Sequence, residues 1–363
     1  MMSNILMINN VITSINRKES VNVKALFMMN TPADVYTWKY PIRILLDEGN
    51  EVSILARNYG CTLDVLKEEG FSFSAFNCIK SKYFKVFEIF THVNGARKLS
   101  RQFKPSIIIG FGADAALAAG FLNKPCVVFI DSEPTPLLQY LLMKPFVNAI
   151  LTPNCFLKNL GGKQIRFNSF KELAYLHPKR FTPDPSIYNE LGINSNEKYV
   201  ILRFNAFDAI HDIGRKGFSN DDKFRLFQEL RKHSNVFISS EGPLSLELQG
   251  HSLNINPSRI HHALYYASLV VGDTGTISTE AAVLGTPAII YGSFAGKFGN
   301  FIELERKWGL IYSFTNCNLA IEKAVEILKN INSKNEWQIK RKQLLADKID
   351  AVDFIVNLIK QNS

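Results

Sequence analysis

Residues 270–287 read VVGDTGTISTEAAVLGTP, and the reading of this stretch decides the fold. The apolar run at 267–271 has the length of a buried strand. Gly272, Asp273, Thr274 and Gly275 break it in a tight turn. Residues 276–284 then read as a helix that Gly285 and Pro287 end. A strand that turns through small residues into a helix leaves first-turn N–H groups without partners. Those groups, with the helix dipole, attract an anion. The predicted occupant is a diphosphate held at Asp273, Thr274, Gly275 and Thr276. Glu280 follows Thr276 by four residues, so both share a face, about 6 Å apart along the axis. A carboxylate there is placed to accept from ribose hydroxyls. Its other reading is an N-terminal helix acid stabilised by the dipole.

Similar strand–turn–helix units lie on both sides of this one. Strands at 23–29 and 51–56 flank a helix at 35–47, a βαβ opening that predicts a parallel sheet with a right-handed crossover. Ligands bind beyond the carboxyl ends of such strands, which puts Asn30, Thr31 and Tyr36 near a cleft. Helix capping is the other account of Asn30 and Thr31. Strands at 106–109, 126–130 and near 151 continue the series, and Asp131 and Glu133 follow the second of these. Two carboxylates at a strand end suit a general base or a grip on sugar hydroxyls, or else cap the next helix.

Pro178, Pro183 and Pro185 mark a linker at 177–196. A second series opens at 199–204 and carries Arg203 to a strand end, ahead of a loop with Asp208, His211, Asp212, Arg215 and Lys216. Arg203 suits a diphosphate leaving group. His211 suits proton transfer near neutral pH, or is a plain surface residue. A strand at 236–239 delivers Glu241, either to a ligand or to a turn. His261 and His262 fall near the place where a base would bind, with ordinary helix surface the preferred reading.

The 363 residues are 46% hydrophobic and 21% charged, with a net charge of +9. That is the composition of a globular protein with two real cores and an attraction for anions. Five scattered cysteines with no CxxC pair give neither a zinc pattern nor a disulfide framework; reduced buried thiols are predicted. Residues 79–104 set seven Lys and Arg against Glu88, with aromatics at helical spacing. A packed helix with solvated lysines is the preferred reading, and an amphipathic surface on anionic lipid the second. No nucleic-acid-binding motif accompanies the charge. Residues 1–22 read as a leader without the pattern of a signal peptide, and no stretch is clean enough to span a bilayer. A cytoplasmic protein is expected, with peripheral contact at the inner membrane face under the second reading of 79–104.

The 270–287 run resembles the DSGGIQEEAxxLGxP segment of the non-hydrolysing UDP-N-acetylglucosamine 2-epimerases and related GT-B glycosyltransferases. Asp273 matches the Asp, Thr274, Gly275 and Thr276 fall on the phosphate-binding Ser-Gly-Gly, and Glu280 falls on the ribose-binding Glu. Thr276 departs from the second Gly. With MNTPADVYTWK, KPSIIIGFGADAALAA, HPKRFTPDPS, LRFNAFDAIHDIGRKG and ISSEGPL in order, residues 23–318 resemble an archaeal and bacterial family of unknown function, number 354 of its series.

This resemblance implies an α/β, GT-B-like fold of two Rossmann-like parallel-sheet domains with an interdomain cleft. Its parts would be a leader at 1–22, an acceptor-side domain at 23–180 and a nucleotide-sugar-side domain at 181–318. Helices at 319–363 would follow, the last crossing back to the first domain. It also implies a UDP-sugar donor with no separate cofactor; no metal is required if the helix end and Arg203 carry the charge. The acceptor would be a glycan or a lipid-linked group, in surface polysaccharide or glycoconjugate synthesis. Asp131 falls where the epimerases carry a catalytic Glu. Their acidic pair falls on Pro136 and Leu137, and Asp114 is displaced from their Gly-Asp turn. With those acids missing, glycosyl transfer is favoured; an epimerase and a non-catalytic nucleotide-sugar binder are the alternatives. Asp131, Glu133 or His211 would take the acceptor proton. Arg203, Glu241, the 273–276 turn and Glu280 would hold the nucleotide.

Overall fold

The computed structural model describes residues 22–77, 85–131, 133, 137–205 and 216–363. The strands of these residues form two sheets, parallel throughout. The first holds β1 (Lys24–Met29), β2 (Glu51–Asn58), β3 (Ser74–Asn77), β4 (Ile107–Phe111), β5 (Cys126–Phe129), β6 (Ala149–Pro153) and β7 (Gln164–Phe167). Their order is β3-β2-β1-β4-β5-β6-β7. The second holds β8 (Tyr199–Phe204), β9 (Asn235–Ser240), β10 (Leu269–Gly272), β11 (Ala288–Tyr291) and β12 (Ile311–Phe314), ordered β12-β11-β10-β8-β9. Central strands such as β10, LVVG, are apolar without alternation because both faces are covered. The expected two-sheet α/β architecture is present. Sequence reading missed β3, β7 and β12. Each is four residues long, and β3, an edge strand, leaves three of its four residues exposed, so no apolar run announces it.

Helix α1 (Pro32–Asp47) follows β1. Its start is fixed by Asp34, whose carboxylate accepts from the Asn30 and Thr31 amides at 2.8 and 3.3 Å and from Thr31 Oγ1 at 2.7 Å. Burial pushes the Asp34 carboxyl up to about 6, against these bonds. Helices α2 (Lys85–Phe103), α3 (Ala113–Leu122) and α4 (Leu137–Met143) lie against one face of the first sheet. Val93, Ala96, Ala116 and Met143 there meet Leu26, Ile108 and Val128. Phe90 of α2 faces solvent rather than this core. Of the 79–104 stretch, 79–84 lie outside the described residues, as do 1–21.

A second core runs from the other face of the first sheet into the second sheet. It includes α5 (Leu173–Leu176), α6 (Ile260–Tyr266), α7 (Gly275–Val283), α8 (Ser333–Asp347) and α9 (Ala351–Asn362). Helix α9 returns to the first sheet. It packs on α1 and α5, Phe354 stacks on Phe167 at 5.8 Å, and Asp350 pairs with Arg180 at 2.9 Å. The two halves also meet at Gly299, where a Cβ would lie 1.8 Å from the Cys155 carbonyl oxygen; only glycine permits that approach. Of the cysteines, Cys126 is buried, Cys61, Cys155 and Cys317 are half-buried free thiols, and Cys78 lies outside the described residues. No helix among the described residues is long and apolar enough to cross a membrane.

Candidate functional site

The site begins where β10 ends. Gly272 pairs with Arg203 of β8, and a Cβ on Gly272 would lie 2.7 Å from the Arg203 carbonyl oxygen, so the strand end needs glycine to seat against β8. Asp273 follows, buried. Its Oδ1 accepts from the Asn205 amide at 2.7 Å and its Oδ2 from the Phe218 amide at 3.1 Å. Burial outweighs these bonds and raises its carboxyl to about 6. Both oxygens are thus spent on backbone, and Asp273 pins the segments after β8 around the turn.

Thr274 caps α7 in extended conformation, yet its hydroxyl makes no capping bond: Oγ1 is buried and has no hydrogen-bond partner. The amides of Gly275 and Thr276 have no acceptor among the described residues, as expected of a first helical turn. The other end of α7 is held by α8. Gln338 Nε2 donates to the Leu284 and Gly285 carbonyls at 2.9 and 3.0 Å, and Arg341 Nε to the Val283 carbonyl at 2.9 Å. A cation on the C-terminal carbonyls complements the dipole and fixes where the N-terminus points.

That N-terminus faces a cavity of about 770 Å³ between the two sheets, within the range of small-molecule sites. Arg203, Glu241, Asp273, Thr274, Gly275, Thr276 and Glu280 all line it, with Asp131 on the opposite side. The sequence-chosen residues therefore converge, with two exceptions. Glu133 is not among the lining residues. It is buried, and its carboxylate accepts from the Leu157 amide and, at 3.1 Å, from the Gly299 amide, joining the halves where they touch. His211 and its neighbours Asp208, Asp212 and Arg215 lie outside the described residues.

Glu280 differs from the open carboxylate its sequence position suggests. It is 2% exposed. Its Oε1 accepts from the Tyr175 hydroxyl at 2.7 Å and faces His261 Nε2 at 3.1 Å, while Oε2 is buried with no partner. Tyr36 stacks on Tyr175 at 5.5 Å and meets His261 edge-on at 4.6 Å. His261 is therefore not ordinary helix surface; it is buried in the cavity wall. His262 points elsewhere, its Nδ1 accepting from the Asp184 amide at 3.0 Å. Nothing in the local sequence marks His261, because its value comes from Tyr36 and Tyr175, far away in the chain.

Arg203 does not wait alone for an anion. Its guanidinium donates to Ser239 Oγ at 2.7 Å and pairs with Glu241, while Nε is buried without a partner. On the facing wall, Thr31, Tyr36, Asp131, Lys171 and Glu172 line the cavity. Lys171 pairs with Asp131 and approaches Glu172 at 3.9 Å. Burial works against the charge on Lys171, but Asp131 and Glu172 outweigh it and hold the ammonium charged. Burial pushes the Glu172 carboxyl up to about 7, with Lys171 opposing. Sequence reading missed both residues, since the Lys-Glu pair sits before a four-residue helix with no motif around it. No group of three or more His, Cys, Asp and Glu able to hold a metal ion occurs among the described residues.

Comparison with solved structures gives GT-B-fold proteins. The chain is similar to the S. aureus MnaA–UDP co-structure, with a TM-score of 0.68 and 12% identity, covering 93% of this chain and 96% of that one. It is similar to the UDP-GlcNAc 2-epimerase of Neisseria meningitidis bound to UDP-GlcNAc, with a TM-score of 0.62 and 16% identity, over 93% and 100% of the two chains. The spinosyn forosaminyltransferase SpnP matches with a TM-score of 0.62 and 12% identity, over 93% and 100%. At such identities the likeness is one of fold. No family model and no curated protein matches the chain, so membership of family 354 finds no support there.

Proposed function

We propose that the cavity takes a nucleoside diphosphate sugar, most simply a UDP-sugar, and that the chain transfers its glycosyl group to an acceptor hydroxyl. One observation carries this reading. Two buried oxygens without partners, Thr274 Oγ1 and Glu280 Oε2, sit on the first two turns of one helix whose N-terminus faces the cavity. Buried polar atoms are nearly always paired, so an unpaired couple in a cavity wall points to a ligand. Diphosphate oxygens supply acceptors for the Thr274 hydroxyl and the Gly275 and Thr276 amides. A ribose hydroxyl supplies the donor for Glu280 Oε2.

In this reading the bond from the anomeric carbon to the diphosphate oxygen breaks, and the acceptor oxygen bonds to that carbon. Negative charge develops on the departing diphosphate, where the helix N-terminus and Arg203 stabilise it. Glu172 takes the acceptor proton, since a carboxyl raised towards 7 suits proton transfer at neutral pH. Asp131, held by Lys171, orients the acceptor. The carboxylates facing the sugar leave epimerisation as the second reading. Titration calorimetry with UDP and UDP-sugars tests the binding. Incubation with UDP-N-acetylglucosamine separates the chemistries: a second sugar nucleotide marks an epimerase, free UDP with a glycosylated acceptor a transferase. No heat with any nucleotide would overturn the proposal.

A further inference from the structure

Helices α2, α3 and α4 cover the outer face of the first sheet, and their own outward side carries large apolar groups in solvent. Phe121 is 71% exposed, Leu141 54%, Leu142 46% and Phe146 40%. They are close in space. A Cβ on Gly120 would lie 2.4 Å from the Phe146 ring, so that ring lies on α3 beside Phe121, and Leu141 and Leu142 end the helix that leads to it. On α2, Phe90, Asn94, Arg97, Lys98 and Arg101 recur at helical spacing on the exposed side, while His92, Val93 and Ala96 face inward.

Among the described side chains of this face the charge has one sign; that of Glu88, on α2, lies outside them. Residues 90–166 hold nine Lys and Arg against three acids, Asp114, Asp131 and Glu133. All three acids have partners within the fold. Asp114 meets His92 Nδ1 at 2.7 Å and Asn30 at 3.2 Å, Asp131 pairs with Lys171, and Glu133 accepts the Leu157 and Gly299 amides. Arg97, Lys98, Arg101, Lys144 and Lys158 are left exposed with no carboxylate of this span among them. Exposed cations beside exposed apolar rings are matched by a negative layer over hydrocarbon. A surface uniformly negative above hydrocarbon is an anionic bilayer.

We propose that the α2–α4 face docks on an anionic lipid bilayer. Its lysines and arginines meet phosphate headgroups, and Phe121, Leu141, Leu142 and Phe146 enter the boundary between headgroups and acyl chains. The contact differs from the one the 79–104 segment suggests by itself, because its apolar part comes from α3, α4 and the turn after it. It is independent of what fills the cavity, from which none of these residues is taken.

The test is flotation of the full chain with vesicles of phosphatidylcholine alone or with about a third phosphatidylglycerol. The wild type should float with the anionic vesicles only, and less as salt rises, since screening weakens the headgroup attraction. Phe121→Glu/Leu141→Glu should lower the partition coefficient at least tenfold while UDP binding stays unchanged. Lys144→Glu/Lys158→Glu, a second variant at exposed sites, should lower it several-fold. Equal binding to neutral vesicles, or variants that float like the wild type, would overturn the proposal. So would an absence of flotation together with a dimer in sedimentation velocity that Phe121→Glu/Leu141→Glu dissolves; that result would make the face a contact between copies.

Discussion

Tyr175 Oη donates to Glu280 Oε1 at 2.7 Å, and the two residues come from different helices, 105 positions apart in the chain. Helix α5 thus holds the carboxylate of α7 in place, with His261 beside it, and leaves Oε2 for a ligand. Glu280→Ala should weaken UDP binding about 10- to 100-fold, the loss of charge-assisted hydrogen bonds worth roughly 1.5–3 kcal/mol. Tyr175→Phe should keep most of the affinity but cost about 1–3 kcal/mol of stability, because a buried carboxylate loses a donor. Calorimetry and urea unfolding separate the two effects. Equal UDP affinity in wild type and Glu280→Ala would remove the ribose assignment.

Thr274→Val gives a cleaner separation. The hydroxyl has no hydrogen-bond partner within the chain, so a chain without it loses no internal hydrogen bond and should unfold at the same or a higher urea concentration. UDP affinity should nevertheless fall roughly 2- to 12-fold, the worth of one ordinary hydrogen bond. A stability loss with unchanged affinity would make Thr274 a structural cap.

Glu241 pairs with Arg203 and so would compete with an anion for it. Glu241→Gln should therefore tighten UDP binding about two- to fivefold, the range of a partly exposed ion pair worth up to about 1 kcal/mol. The gain should shrink as salt is added. Weaker binding in this variant would show that Glu241 itself contacts the ligand.

Stability should depend on pH through three buried acids. Asp34 and Asp273 stand at about 6 and Glu172 at about 7, all raised by burial. Raised acids bind protons more tightly folded than unfolded. Their contribution is full below the unfolded values near 4 and is lost as pH climbs through 6 and 7. Glu172→Gln should remove part of this fall, matching the wild type near pH 4 and exceeding it by roughly 1–3 kcal/mol at pH 8. Urea midpoints across that range check the sign; parallel curves for the two proteins would refute it.

Gly299→Ala should lower stability by about 1–3 kcal/mol or more, since its Cβ would run into the Cys155 carbonyl and neither group is a flexible side chain. Glu133→Gln tests the same contact through its amide bonds from Leu157 and Gly299. Both variants should unfold earlier by heat, and Glu133→Gln should keep its UDP affinity because Glu133 is not among the cavity-lining residues.

Local patterns in the sequence were enough for the central strands of both parallel sheets, though not for β3, β7 and β12, and for the turn from Gly272 to Glu280. Apolar runs, small turn residues and helix ends are neighbours along the chain, and their physics needs nothing distant. Such patterns also placed Arg203, Glu241 and Asp131 at strand ends, which in a parallel sheet must open on one side. What each side chain does once there depended on the tertiary structure. Glu280 and Asp131 are ruled by Tyr175, His261 and Lys171, Asp273 is spent on two amides, and Glu133 joins the halves away from the cavity. Those partners come from other elements, and burial sets the proton affinity of Glu172. Neither distance nor desolvation is written in the spacing of residues along one strand and helix; both exist only after the chain has closed.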